Sequence, residues 1–545
     1  MHIVASDWIM MGLFFAGLFF VAWLGSRKKS SAGNDFFTSG RSMPWWLIGV
    51  SMVAANTSTN SANLFTQIIR EDGLAGNWVW WSFLTGGILI VFVYAKLWHR
   101  SGATTDIAFY ELRYSGRPAA FLRGFRAVYL GVIYNLVVLA TVLLGAAKIG
   151  TVIFGVSIWL VLGVIGVVSV AYSTIGGIRG TIYADFYLFA VIMAGAVVVM
   201  LYAVGDPAVG GFRALMNNPA IVSKLDFFPE MSDTNALMAL FVVPVAIQWW
   251  NVWYSGSEPG GGGYIVQRML TAKTPNHALG GTLFAQILNV AIRPWPWFIA
   301  GFASILIFPD LDSIRRAFPS VDPALVGNDM AYPALFRLVP AGWLGVVAAS
   351  MAGAIFSTVA ALVSMGSNYV ANDVWKRFIR TEASDRELVA VARWSAIGLA
   401  AAGCLLAPLL EDAKSGFDMM VMVGAGTGAI FLLRWFWMRI NAWTEIVALT
   451  VSIICAAFFQ MILPHFADVM PPFWKCLLMT IAVTTVSWVC ATFLTKPEPA
   501  EVISRFRSLV RADGRDVGKG LLYTFLVSVA IFASMYVLVL VLRSV

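Results

Sequence analysis

The sequence predicts an all-α integral membrane protein with about 14 transmembrane helices. Hydrophobic residues make up 59% of the 545 positions and charged residues only 12%, against about 25% charged in soluble domains. Mean hydropathy is +0.78. Apolar runs of roughly 18 or more residues, each long enough for a hydrocarbon layer of about 30 Å, recur from end to end. The short apolar and polar alternation of a membrane barrel does not.

The runs fall at 5–26, 44–69, 75–98, 119–152, 156–173, 180–204, 236–265, 277–308, 342–373, 388–410, 417–438, 443–464, 472–494 and 520–543. The first ends in Gly25-Ser26-Arg27-Lys28-Lys29, with positive charge after the apolar stretch, the reverse of a secretory leader, and is expected to stay as an anchor. An even number of spans puts both termini on one side. Basic residues concentrate in alternate loops, six between Lys96 and Arg126, five between Lys376 and Arg393 and six between Lys496 and Lys519. The intervening loops 205–235 and 309–341 are comparatively acidic. By the positive-inside rule both termini are then extracytoplasmic, in a multi-pass protein of the cell membrane.

The formal net charge of +8 comes from these loops and forms no basic stripe with interleaved aromatics, so nucleic acid is not an expected partner. Cys404, Cys455, Cys476 and Cys490 lie within spans without zinc-type spacing and read as buried apolar thiols. The tryptophans Trp45, Trp46, Trp80, Trp81, Trp98 and Trp343 read as interface anchors. No phosphate-binding Gly-Lys loop, Ser-His-Asp arrangement or HExxH is present, so catalysis is not expected.

Two spans are interrupted. In SMVAANTSTNSANLF, residues 51–65, seven of the eight positions from Asn56 to Asn63 are polar. In WNVWYSGSEPGGGGYIVQR, residues 250–268, Pro259 and four consecutive glycines break the seventh run. Unpaired backbone in lipid costs several kcal/mol per group, so irregular segments survive only inside protein or along a wet cavity. There their freed N–H and C=O groups become ligands for solutes and cations. The breaks lie five helices apart, the relation expected of two five-helix repeats of opposite orientation, 44–204 and 236–438. The extra helix within 1–30 precedes them and three additional helices within 443–545 follow.

FFTSGRSMPWWLIGVSMVAANTSTNSANLF near the start, AYSTIGGIRGTIYADF at 171–186, YIVQRMLTAK at 264–273 and AGAIFSTVAALVSMGSNYVANDVWKR at 352–377 together resemble the sodium:solute symporters. That family includes sodium-coupled sugar, proline, pantothenate and sialic acid carriers with the LeuT-type inverted-repeat fold. The resemblance spans most of 36–440 and implies alternating access with one coupled Na+. The ion's implied ligands are the backbone carbonyls of Ala54, Thr57 and Ala354 and the hydroxyls of Ser357 and Thr358. Positions 354, 357 and 358 share one helix face, and hard oxygens suit a dehydrated alkali cation. The alternative is that both hydroxyls bond back to their own helix.

Some members have a second sodium site one turn further along, where this chain has Ala360 and Ala361. Asp185 matches a family carboxylate near the inward ion exit path; alternatively it is a boundary residue paired with Arg179. The resemblance places the solute between the two breaks, near Asn56, Ser58, Asn60 and Ser61 from the first, Asn251, Trp253 and Tyr254 from the second, and Arg293. Amides, hydroxyls and aromatic faces suit a sugar or sugar derivative. Arg293 can grip a carboxylate bidentately, neutralise a freed carbonyl or pair with a protein acid. Sugar carriers have a glutamine and a glutamate where Ser61 and Trp80 stand here, and the SEPGGGG stretch is an insertion relative to them. A carboxylate or amino acid therefore stays open as the solute. A non-transporting membrane sensor of the same fold is the remaining alternative. The protein is expected to work as a monomer in the lipid bilayer.

Overall fold

The computed structural model describes residues 3–26, 38–250, 258–319, 326–409, 421–466, 471–511 and 514–544. Helices dominate, and the described residues contain no β-strand, only one isolated parallel bridge between Met43 and Ala272. Ten helical stretches are long and apolar enough to cross a membrane. They correspond to ten of the fourteen expected runs. Of the other four, two are the broken spans, Ile158–Ala171 is shorter, and the run 417–438 lies partly outside the described residues.

The elements that build the site are α1 (Ala5–Ser26), α2 (Trp45–Ala55), α3 (Thr59–Asp72), α4 (Gly116–Val128), α5 (Ile158–Val204), α6 (Gly263–Met269), α7 (Pro275–Ile287), α8 (Trp295–Ile307) and α9 (Trp343–Tyr369). Helices α5 and α9 pack along each other at the centre, and α1 lies against both. On the other side α7 packs on α2, and α8 on α3. The runs 156–173 and 180–204, expected as separate helices, are joined without a loop. The chain turns at Gly177 (φ 55°, ψ −157°), a left-handed conformation that glycine adopts without a Cβ clash.

In a membrane helices are not driven together by water, so close backbone approach and hydrogen bonds carry the packing. At α9 this is visible residue by residue. A Cβ on Gly345 would lie 2.5 Å from the carbonyl oxygen of Asp7, and one on Gly366 2.5 Å from that of Gly131. Asp7 also caps α9 from another helix: its Oδ1 accepts from the amides of Gly342 (2.8 Å) and Gly345 (2.7 Å). A negative group at a helix N-terminus satisfies orphan donors and meets the positive end of the helix dipole. The N-terminal helix is thus tied to the core through one carboxylate.

Several expectations need correction. Trp81 and Trp98 are fully buried core residues rather than interface anchors, whereas Trp45, Trp46 and Trp343 are exposed. Trp81 stacks on Phe227, and Trp98 packs edge-on against Trp435. All four cysteines are free, but Cys490 is exposed and only Cys476 is fully buried.

Candidate functional site

Pro44 fixes an extended residue before the apolar stretch WWLIGVSMVAA, and the resulting α2 stops where the polar run begins. Asn56 leaves the helix, Ser58 is extended (φ −109°, ψ 170°), and α3 starts at Thr59. Ser58 N donates to Ser61 Oγ (3.3 Å), so both serines help start α3. Asn60 packs its Oδ1 where a Cβ on Gly145 would stand. The interruption expected from the sequence is therefore real, and it is buried inside the bundle.

Two groups seize the freed backbone. Thr358 Oγ1, on α9, donates to the carbonyl of Thr57 at 3.2 Å. Arg293 Nη1 donates to the carbonyl of Asn56 (3.1 Å) and to Thr57 Oγ1 (2.7 Å). Thr57 Oγ1 in turn donates to the carbonyl of Val53 at 2.7 Å. The carbonyl of Ala54 accepts from Thr57 N at 2.9 Å. Of the roles open to Arg293, capping a freed carbonyl is thus realised in the structure.

Ser357, one residue before Thr358, donates to Asp185 Oδ1 at 2.8 Å. Neither hydroxyl is spent on its own helix; both reach across to other elements. Asp185 is completely buried and does not pair with Arg179, which instead donates to Ser42 Oγ at 3.5 Å. Its Oδ2 accepts from Ser51 Oγ (2.5 Å) and from Arg268 Nη2 (3.1 Å), while Arg268 Nε donates to Ser51 Oγ (2.8 Å). One carboxylate therefore joins α2, α5, α6 and α9. Removing either charge would leave its partner unpaired at full burial. Arg268 and Ser51 were not among the sequence candidates. The available signal was an arginine in the otherwise apolar YIVQRML, since a charge inside a span is a functional candidate by default.

Sequence candidates Asn251, Trp253 and Tyr254 lie outside the described residues. Past them, the end of the SEPGGGG stretch is tightly packed. Glu258 Oε1 accepts from Arg126 Nη2 on α4 at 2.8 Å, Trp98 Nε1 donates to the carbonyl of Gly260 at 2.7 Å, and Gly263 N donates to Asp106 Oδ2 at 2.9 Å. The glycines have a steric purpose: a Cβ on Gly262 would sit 1.3 Å from Glu258 Oε2, and one on Gly261 2.9 Å from Trp98 Nε1.

An all-helical membrane bundle whose core holds two interrupted helices, with freed carbonyls turned onto hydroxyls and guanidinium, is the architecture of a membrane carrier with a buried polar site. The sodium:solute symporter family profile matches residues 36–453, and the chain belongs to that family. It is 27% identical over 481 residues to a sodium/glucose cotransporter of Vibrio parahaemolyticus, covering 85% of this chain and 86% of that protein. With sodium/myo-inositol cotransporter 2 of Oryctolagus cuniculus it shares 25% identity over 545 residues, 90% of this chain and 77% of the relative. Its fold is that of a Na+-coupled sialic acid symporter solved in a substrate-bound outward-open state, with a TM-score of 0.71 at 17% identity, covering 91% of this chain and 99% of that one. The LeuT-type helical fold expected from the sequence is therefore shown.

Proposed function

We propose that this symporter imports a small polar organic solute, a sugar or sugar derivative, by alternating access driven by one sodium ion, and releases it chemically unchanged. The observation that carries the reading is the bond from Thr358 Oγ1 to the carbonyl of Thr57. It brings the broken end of α2 onto the α9 face that also presents Ser357. The carbonyls of Ala54, Thr57 and Ala354 with the two hydroxyls form a neutral oxygen set suited to a monovalent hard cation. Asp185, one hydrogen bond from Ser357 and ion-paired with Arg268, stands on the ion's inward path. With alanine at 360 and 361 there is no hydroxyl for a second ion one turn on.

Sodium in this place would clamp α2 to α9 and so shape the solute site next to the break. By linkage, solute then tightens sodium by the same factor. The repeats 44–204 and 236–438 move against each other around this site. The protein acts as a monomer in the cell membrane, with both termini extracytoplasmic. Named relatives that carry glucose and myo-inositol support a polyhydroxylated solute.

Proteoliposomes with imposed ion gradients test the reading. Uptake should follow an inward sodium gradient, and Ser357→Ala with Thr358→Ala should remove that dependence while leaving the protein folded. Uptake indifferent to sodium, or sodium dependence that survives the double substitution, would reject the coupling site.

A further inference from the structure

Two short segments gather cationic side chains at one corner of the bundle. Residues 95–101 and 500–519 together hold seven lysines and arginines against three acids, Glu501, Asp513 and Asp516. The second segment supplies α10 (Ala500–Val510) and the start of α11 (Gly514–Ser544). Helix α10 spends its apolar side on protein: Phe506 and Val510 are buried, and the Phe506 ring lies 5.9 Å from that of Trp435 and 5.7 Å from that of Phe109. Its charged side is left outward, with Arg505 and Arg507 exposed along it and Arg511 exposed at its end.

The corner lies at the edge of the hydrocarbon layer. Helix α10 packs on Ala95–Ser101, which ends the membrane-crossing stretch Leu74–Ser101, and only residues 511–514 separate it from the next such stretch, Arg515–Ser544. Arg100 Nη1 donates to the carbonyl of Arg511 at 3.4 Å, and a Cβ on Gly520 of α11 would lie 3.1 Å from the carbonyl oxygen of Phe92, so the three elements converge. Among the described residues no carboxylate pairs with Arg100, Arg507, Arg511 or Lys519. In the basic loop after α9, by contrast, Arg377 and Arg380 pair with Glu111 and Glu387. One to two turns beyond Lys519, the side chains of Leu522, Tyr523 and Leu526 share its helix face and are exposed. A charged surface therefore adjoins one that meets acyl chains.

We propose that this corner binds an anionic phospholipid, its headgroup phosphate held by Arg100, Arg507 and Arg511 with Lys519 beside them, and its chains lying along Leu522 and Leu526. Guanidinium forks match phosphate oxygens, and the exposed apolar face of α11 takes the part of the molecule that a soluble anion lacks. Basic residues at the end of a span each add about fivefold to the affinity for an anionic membrane. Under the topology proposed above the corner faces the cytoplasmic leaflet, the one that carries negative surface potential. The bound lipid also regulates the second break. Trp98, two residues before Arg100, holds the carbonyl of Gly260 at 2.7 Å, so a headgroup that ties α10 and α11 to Ala95–Ser101 steadies the end of that break.

The test titrates the full chain, in neutral detergent, with phosphatidylglycerol or phosphatidylcholine in mixed micelles and reads the melting temperature. Phosphatidylglycerol should raise it and phosphatidylcholine should not, and the gain should shrink in high potassium chloride, a salt that leaves the sodium concentration unchanged. Arg507→Gln with Arg511→Gln should raise half-saturating phosphatidylglycerol about 25-fold, about fivefold for each charge. Arg507→Lys with Arg511→Lys should keep most of the gain. Lys376→Gln with Arg386→Gln, the same change of charge in the loop after α9, should keep all of it. Equal gains from the two lipids, or an unchanged half-saturation in the glutamine pair, overturn the proposal. A loss as large in the Lys376 and Arg386 variant assigns the effect to overall charge and overturns the site. Inorganic phosphate that reproduces the full gain by itself overturns the lipid as occupant. If the glutamine pair melts low without any lipid, the lysine pair decides: a lysine pair that no longer responds to phosphatidylglycerol overturns the proposal, and one that responds upholds it.

Discussion

The two interrupted spans are stabilised by opposite means. The first, between α2 and α3, hangs on neutral oxygens and on Arg293, whose charge no described carboxylate balances. The end of the second is locked by a buried ion pair, Arg126 with Glu258, by Trp98 on Gly260, and by glycines that leave no room for a side chain. Neutral carbonyls and hydroxyls exchange partners at small cost, which is what a site that fills and empties needs. An ion pair with both side chains almost fully buried does not exchange without a large penalty. The difference separates a break suited to ligands from one anchored to the framework.

The largest expected effect falls where the two styles meet, at Asp185, whose ion pair with Arg268 stands just below the neutral site. Both side chains are completely buried, so Arg268→Gln leaves a bare carboxylate and should cost about 3–5 kcal/mol of stability. Melting in detergent measures it. A melting temperature equal to that of the parent would show that the pair is dispensable and that the contrast between the breaks is only apparent.

A double-mutant cycle of Arg126→Gln and Glu258→Gln sharpens the contrast from the other side. The coupling should be about 2 kcal/mol, the scale of a hydrogen bond between charged groups. Transport with either single variant should slow, with little change in sodium affinity. A large change in sodium affinity would move the second break into the ion site. At the first break the expectation reverses: Ser357→Ala with Thr358→Ala should remove the sodium dependence of uptake while costing less stability than Arg268→Gln, because it deletes hydrogen bonds and leaves the buried ion pair in place.

The first break was legible because seven polar residues in eight cannot face lipid, and the hydroxyl pair was legible because 354, 357 and 358 share a helix face. The partners of Asp185 were not, because Ser51, Arg268 and Ser357 are 134, 83 and 172 positions away and only packing unites them. The glycine run read as unwound backbone, and residues 258–262 are non-helical; what the sequence did not show is its steric fit around Glu258, a residue whose partner lies 132 positions off. Trp81 and Trp98 misled for a related reason: an indole packed among other rings is as much at home in a core as at a lipid interface, and Trp98 also has its N–H satisfied. For Trp98 the acceptor is a carbonyl of that same glycine run.

The smallest expected effect probes how far the balanced region extends. On α4, Arg123 stands one turn before Arg126 and bonds both Asp373 (2.8 Å) and Glu111 (2.7 Å), and Arg377 bonds Glu111 as well (2.9 Å). Glu111 lies between spans and is partly exposed. Burial pushes its carboxyl up, but the hydrogen bonds from Arg377 and Arg123 outweigh burial and hold it below the usual carboxylate value. A group held low in the folded state adds stability above its unfolded value near 4.5, and that contribution is lost as pH falls through the lower folded value. Exposure and screening reduce it to about 0.5 kcal/mol. Glu111→Gln should therefore lower the melting temperature slightly at pH 7, with the gap to the parent closing as the pH drops below the carboxylate range and shrinking in high salt. If the gap widened on acidification, Glu111 would be stabilised as the neutral acid, and the charge-balanced anchoring would stop at Arg126.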